Sequence, residues 1–406
     1  MAYELGPNDL ELLLLGGCFF GSGGGGTVVS ARHLATHFHI GDYYPTDRVR
    51  VVDVDEAKDG DTVMVAYMGA PEAIDKVLYP EGPVLAVRQV QARLEAEGRH
   101  LAYVVPPESG ALGFVVACLV AAKLGLAVVD ADGAGRAVPS LPMLTFASHE
   151  VNPRPAFLVS QKDLCVELDV TPRSGSNGGA THQQDVSAII EHMMRPIITE
   201  PEFGQFGGLA MWVMDSARLA EALPIRGTLS RALALGQALQ AGQVETPQAM
   251  IDFLFSHFDL YARPLFGPGM LVSAEVQTTG GFDVGKMHIE ADGARCTVLF
   301  QNESLLAWSS AAARPIGMAP DSLAYFVGGP GQKVFSNGDL VMEDGSLNPA
   351  VRGRPVTVLG IEASPALRQP GGLILGSFMN LLEQLGYLGP YVPVEAAHPA
   401  VTGEPV

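Results

Sequence analysis

Two different periodicities divide this chain. In its first third, short runs of adjacent apolar residues alternate with helix-length stretches, the pattern of strands buried on both faces between crossover helices. Residues 49–54, 62–67, 101–105 and 126–130 are predicted strands, with helices over 83–97 and 111–123. The strand at 101–105, the apolar helix after it and the strand at 126–130 form the clearest βαβ unit. Further strands are expected at 144–147, 156–159 and 164–170. A Ser- and Gly-rich linker at 172–180 then leads into helices at 182–194, 216–223, 228–239 and 247–261. Thr246-Pro247 supplies a capping residue and a first-turn proline for the last of these. From Met270 the pattern turns to alternation, predicting an antiparallel meander over 271–277, 286–290, 296–300 and 305–308. Short strands at 323–326, 339–342 and 355–360 precede a Gly- and Pro-rich tail.

At 406 residues the chain exceeds the roughly 250 to 300 at which a single core stops growing. The expected class is α/β in two parts. Residues 1–171 form an N-terminal α/β domain containing the βαβ unit and a mixed or parallel sheet. Residues 172–393 form a C-terminal α+β domain with helices and the antiparallel meander, and 394–406 a tail. Forty-eight per cent hydrophobic residues suffice for large cores. No run of about 18 apolar residues interrupts the pattern, so no membrane partner is expected. A net charge of −19 without a Lys/Arg cluster excludes nucleic acid as a partner and suits a cytoplasmic protein. Nor does the start of the chain read as a signal peptide, since Glu4, Asp9 and Glu11 stand where a basic segment would. Cys18, Cys118, Cys165 and Cys296 are scattered, lack C-x-x-C spacing and read as reduced thiols.

Candidate chemistry gathers in a few places. The run Val128 to Met143, VVDADGAGRAVPSLPM, carries Asp130 and Asp132 off the end of a buried strand, with Arg136 close behind. Open α/β sheets hold their ligands at that edge. Glu108 leaves the preceding strand on the same side. Asn8-Asp9-Leu10-Glu11 is predicted to cap a helix through residue 15, which runs into the densest glycine stretch of the protein, Gly21-Ser22-Gly23-Gly24-Gly25-Gly26. Amides of Gly23, Gly24, Gly25 and Gly26, together with a helix beginning near Thr27, suit an anion or a developing oxyanion. No Gly-Lys-Ser/Thr follows, so the stretch is not a Walker loop. His33 and His37 share a helical face and could hold a metal, although no H-E-x-x-H accompanies them and hydrogen-bonded histidines are the plainer expectation. Phe300-Gln301-Asn302-Glu303-Ser304 interrupts a strand with polar groups, either as a ligand edge or as a bulge or turn.

Taken together, GSGGGG, the MGAP-x-x-x-DK segment from Met68 to Lys76, PESGAL, DADGAGRAVPSLPM, Gly227 to Leu233, Gly281 to Gly285 and Phe300 to Leu305 resemble the S-methyl-thiohydantoin desulfurase-like family. The resemblance spans roughly residues 10–360. It implies a two-domain α/β protein and, from characterised members, hydrolytic removal of sulfur from a thiohydantoin ring. Three departures stand out. Thr27-Val28 replaces the common Asp-Pro, Gly110-Ala111-Leu112-Gly113 stands where Gly-Gly-x-Asn is usual, and Asp75-Lys76 replaces Glu-Lys.

The expected function is hydrolysis of a small cyclic amide or thioamide by water attack at a ring carbon. Asp130 or Asp132 would serve as base or metal ligand, Glu108 or Glu303 as the second acid/base or ligand. Arg136 and the Gly23 to Gly26 amides would stabilise charge, with Asn302 and Lys76 binding substrate. A divalent metal is compatible with these oxygen ligands though no motif fixes one, and homo-oligomerisation is compatible with the chain. Two alternatives are a non-catalytic small-molecule binder or regulatory protein of the same fold and a nucleotide-dependent, hydantoinase-related enzyme.

Overall fold

A computed structural model describes residues 2–39, 43–69, 74, 77–171, 182–279, 282–342 and 344–396. Its strands are β1 (Tyr3–Leu5), β2 (Val49–Val52), β3 (Asp61–Gly69), β4 (Leu101–Val105), β5 (Ala127–Val129), β6 (Ala156–Val159), β7 (Cys165–Leu168), β8 (Phe206–Met214), β9 (Ala262–Thr279), β10 (Phe282–Ala291), β11 (Ala294–Gln301), β12 (Glu303–Ser309), β13 (Gly317–Met318), β14 (Ser322–Val327) and β15 (Pro355–Ile361). The principal helices are α1 (Pro7–Phe20), α2 (Val28–Thr36), α3 (Glu81–Ala96), α4 (Ala111–Leu124), α5 (Gln183–Ile198), α6 (Ser216–Ala222), α7 (Thr228–Gln240), α8 (Pro247–Phe258) and α9 (Leu373–Gln384).

The first sheet has eight strands in the order β1-β2-β5-β4-β3-β8-β6-β7. Its middle, β2-β5-β4-β3, is parallel, and antiparallel strands extend it on both sides. The βαβ unit β4-α4-β5 lies at its centre. Every residue of β5 and nearly every residue of α4 is buried, which explains why both read as apolar runs without amphipathic alternation. The second sheet is antiparallel with seven strands, β13-β12-β11-β10-β9-β15-β14, and contains the predicted meander. The protein is thus mixed α/β, with a mixed N-terminal sheet and an antiparallel C-terminal one.

Several elements depart from expectation. β8 lies in a section expected to be helical, yet it pairs with both β3 and β6, so the first sheet takes an interior strand from beyond residue 182. Its signal, Gly207-Gly208-Leu209-Ala210-Met211-Trp212, is a short buried run that periodicity does not distinguish from a helix segment. Residues 145–148 form a helical turn rather than a strand. The expected strand at 339–342 is a loop with one isolated bridge, Val341 to Leu347. The tail contains α9, whose Ile374, Phe378, Leu381 and Leu382 face the core. The proposed linker at 172–180 lies outside the described residues.

α1 starts two residues earlier than expected and runs on to Phe20. Gly6 is its N-cap, and Asp9 rather than Glu11 reaches back to the cap amide at 2.8 Å. Glu11 instead pairs with Arg32 of α2 at 2.6 Å. Gly16 and Gly17 are therefore helical. A Cβ on Gly16 would overlap the backbone of Ala232 in α7, and one on Gly236 would overlap Leu12, so the two helices pack backbone against backbone. This contact aims the carboxyl end of α1, and the glycine loop after it, between the two sheets.

Candidate functional site

The glycine loop is a junction of the two sheets. Ser22 sits at φ +51 and Gly23, Gly25 and Gly26 at φ +82, +70 and +87, conformations that side chains other than glycine rarely adopt. Ser22 is held there by the second sheet, its hydroxyl accepting from Leu323 N at 2.8 Å and its carbonyl from Ser304 N at 2.8 Å. Gly23 O accepts from Asn337 N at 2.7 Å, and Gly25 O from Leu112 N at 3.0 Å in the first turn of α4. Gly24 is non-left-handed but lacks room, since a Cβ there would overlap the carboxyl of Glu303.

Glu303 is 3% exposed at the first position of β12. Burial raises its pKa to about 7, against the pull of Arg136, Arg195 and the Gly25 amide. Its Oε2 has no hydrogen-bond partner among the described residues. Glu108, which leaves β4 as expected, accepts from Val138 N at 2.7 Å. Burial and the negative charge of Glu303 push it well above the usual carboxylate range. Burial thus disfavours the charged form of both carboxyls, and the charge of Glu303 disfavours that of Glu108 further. Glycine loop and FQNES block, remote in sequence, thereby meet at one acid pair.

The other predicted acids have different surroundings. Asp132 is fully buried and accepts from Ser109 Oγ at 2.6 Å, Ala134 N at 2.8 Å and Gly135 N at 2.5 Å. Burial raises its pKa, while those donors oppose the shift. Asp130 lies at the start of α7, accepting from Leu229 N at 2.9 Å, Ser230 N at 3.2 Å and the Ser230 hydroxyl, with Tyr3 OH at 3.4 Å. Its partners are thus a helix terminus and β1, whereas those of Asp132 form the DADG turn. Arg136, 1% exposed, spends its guanidinium on carbonyls: Ala137 O at 2.8 Å, Pro320 O at 3.0 Å, Asp321 O at 2.7 Å and Ser304 O at 3.1 Å. Burial lowers its pKa to about 10, opposed by the field of Glu303, Asp321 and Glu108. It ties the DADGAGR loop to the second sheet and holds positive charge near the glutamate pair.

A cavity of about 490 Å³ opens against the loop, lined by Gly23, Gly24, Gly26 and Thr27 from the first part of the chain and by Asp283, Phe300, Asn302 and Asn337 from the second. Asn302, at φ +57, forms the β11–β12 turn, the structural alternative foreseen for this stretch. Its Oδ1 accepts from Asp283 N at 2.8 Å and its N–H donates to Asp283 O at 2.7 Å. Lys76 lies outside the described residues. The loop amides are partly committed, Gly24 N to Gly21 O at 2.9 Å and Gly25 N to Glu303.

Sequence reasoning missed the Ser336-Asn337-Gly338-Asp339 wall. Asn337 donates to Asn302 O at 2.8 Å and accepts from Tyr325 OH at 2.9 Å. Asp339 accepts from Val28 N at 3.0 Å and from Ser336, so the second sheet caps α2 in the first part. Four polar or glycine residues between apolar neighbours were the available signal. Thr27 caps the same helix through Ser30 N at 3.0 Å. His33 and His37 stack edge to face at 4.8 Å, with His37 Nδ1 on His33 O at 2.7 Å. Among the described residues no three His, Cys, Asp or Glu side chains are grouped to hold a metal ion, and no helix is long and apolar enough to cross a membrane.

Two sheets joined through a glycine loop, with two buried glutamates close by and a polar cavity beside it, define a two-part α/β protein. The family profile described as "S-Me-THD-like, N-terminal domain" matches residues 8–170 and "S-Me-THD-like, C-terminal domain" matches 184–393. The chain belongs to this S-methyl-thiohydantoin desulfurase-like family. It is similar to a protein from Chromobacterium violaceum of known crystal structure, with 60% identity over 97% of this chain and 100% of that one and a TM-score of 0.89. No curated protein matches it.

Proposed function

We propose that the protein hydrolyses a small cyclic thioamide or amide of the thiohydantoin type, with Glu303 and Glu108 as its acid/base pair. The observation that carries this reading is the burial of Glu303 against Gly24 with one carboxyl oxygen unbonded among the described residues, its charge acting on the equally buried Glu108. Water attack at a ring carbon needs a base for the water proton and an acid for the leaving sulfur or nitrogen. A pair with one proton supplies both. The ionised member takes the proton as the water oxygen bonds to carbon, and the protonated member gives its own as the carbon–sulfur bond breaks. The second water proton leaves the new C–OH as C=O forms. It goes to the ring nitrogen of an S-methyl ring, which releases methanethiol, or to the sulfur of a thioamide, which releases hydrogen sulfide. The pair ends with the one proton it began with. Arg136 steadies the pair's negative charge from behind. Asn302 and the loop beside it line the cavity that would seat the ring, and Asp132 maintains the turn that carries Arg136.

Purified protein should release thiol from S-methyl-thiohydantoin acids, measured with a thiol reagent, and Glu303→Gln should lose that release while remaining folded. Absence of turnover on any thiohydantoin or hydantoin, or undiminished turnover by the variant, would remove the proposal. A second reading, binding without turnover, is favoured by Gly113. A Cβ on that residue would stand 3.7 Å from Glu108 O, and the family commonly has an asparagine there. Saturable binding of a ring compound without product is its expected result.

A further inference from the structure

A second, larger cleft of about 840 Å³ lies at the carboxyl ends of β4 and β5, and no residue lines both cavities. Its floor includes Ser109, Gly135 and Arg136, one wall the first turns of α7, and the other the segment after β15. In a protein of net charge −19 its lining carries four arginines, Arg136, Arg226, Arg231 and Arg368, with two acids, Asp259 and Glu362.

The arginines are not equivalent. Arg226 pairs with Asp55 at 2.8 Å. Arg368 pairs with Glu395 and, at 3.2 Å, with Glu362, which also accepts from Tyr261 N at 2.8 Å. Arg136 is saturated by carbonyls. Arg231 forms no ion pair among the described residues. Its Nε donates to Gly227 O at 3.2 Å and its Nη2 to Arg226 O at 2.9 Å, which fixes the guanidinium without neutralising it. Burial lowers its pKa, and the acids that oppose this, Asp132 and Asp130, are themselves occupied by other donors. A held, partly desolvated guanidinium facing a cavity suits a carboxylate.

We propose that this cleft binds a small organic carboxylate, its anionic head on Arg231 and its hydrocarbon part against Ile225, Phe258 and Leu260, which also line it. A carboxylate is favoured over phosphate for two reasons. Asp130 already occupies the Leu229 and Ser230 amides that a phosphate would use, and Asp259 and Glu362 in the walls oppose a dianion more than a monoanion. The proposal goes beyond the reaction proposed above and does not depend on it.

The test is calorimetric titration of the full chain with sodium butyrate, sodium benzoate and, separately, inorganic phosphate. At least one carboxylate should bind saturably, and Arg231→Gln should weaken it by about tenfold or more. Ala234→Phe, which places a ring in the cleft while keeping every charge, should do the same. Far-UV circular dichroism and melting temperature establish that each variant is folded. Should Arg231→Gln fail to fold, Arg231→Lys and Ala234→Phe carry the test. Glu303→Gln should keep carboxylate affinity whatever happens to turnover, so loss of the reaction and loss of this site are separately visible. No carboxylate binding by the native chain, binding of phosphate alone, or undiminished binding by folded variants would each overturn the proposal.

Discussion

The carboxylates of the DADG block and the Glu108–Glu303 pair differ in how many donors each has. Asp130 and Asp132 together receive four backbone amides and two serine hydroxyls. Each is tied by these bonds to a turn or a helix start. Glu303 has the same burial with fewer donors, a neighbouring acid and an unbonded oxygen, so its ionisation stays open to change near neutral pH. Donor count, more than sequence prominence, separates a carboxylate that builds a site from one that can work in it.

The largest test of that contrast is Glu303→Gln. Activity on a thiohydantoin is expected to fall about 10²- to 10⁴-fold, the range for loss of a general acid or base. Its melting temperature should stay level or rise, because a buried ionisable group with too few donors is removed. Asp132→Ala should show the reverse emphasis, losing about 3 kcal/mol or more in urea unfolding because the Ser109 hydroxyl and two amides lose their acceptor. Gly24→Ala should cost about 1–3 kcal/mol, since the added Cβ displaces the Glu303 carboxyl, and should lower activity along with stability.

A pH effect follows from the raised pKa of Glu303. Between the unfolded value near 4.5 and the folded value of about 7, the folded protein binds more protons than the unfolded chain. This contribution to stability is complete below pH 4.5 and declines as pH rises to 7, with a slope of at most about 1.4 kcal/mol per pH unit. Comparing native protein with Glu303→Gln by urea unfolding at several pH values isolates it, and an identical pH profile would refute the assignment. Smallest of all, Asp130→Asn should cost about 1 kcal/mol by weakening its hold on the start of α7. Turnover per folded molecule should be unchanged, and a loss comparable to that of Glu303→Gln would erase the distinction between the two regions.

Much of this was legible one residue at a time. The βαβ unit appeared because β4, α4 and β5 are buried along their lengths and are bounded by Pro106-Pro107 and Gly125. The meander appeared because β11 alternates buried and less buried positions, whereas β12 beside it is buried on both faces except at Trp308. Glu108, Glu303 and the glycines were singled out by residue type and position. β8 was not found, because its apolar run fits either a strand or a buried helix and only pairing with β3 and β6 decides. α9 was missed because the glycines and prolines around it resemble a tail.

The sequence by itself determined most strands, most helices, the family and the short set of acids from which a site could be built. Those properties depend on neighbours along the chain, through apolar period, turn chemistry and order of blocks. Tertiary structure alone decided which acids share a charge and which are spent on amides. Glu303 meets Glu108 and Gly24 across nearly 200 and 280 positions of sequence. Asp130 lies two residues from Asp132 yet serves a different helix. Burial and donor supply set the chemistry of a carboxylate, and both come from groups that only folding brings within a few ångströms.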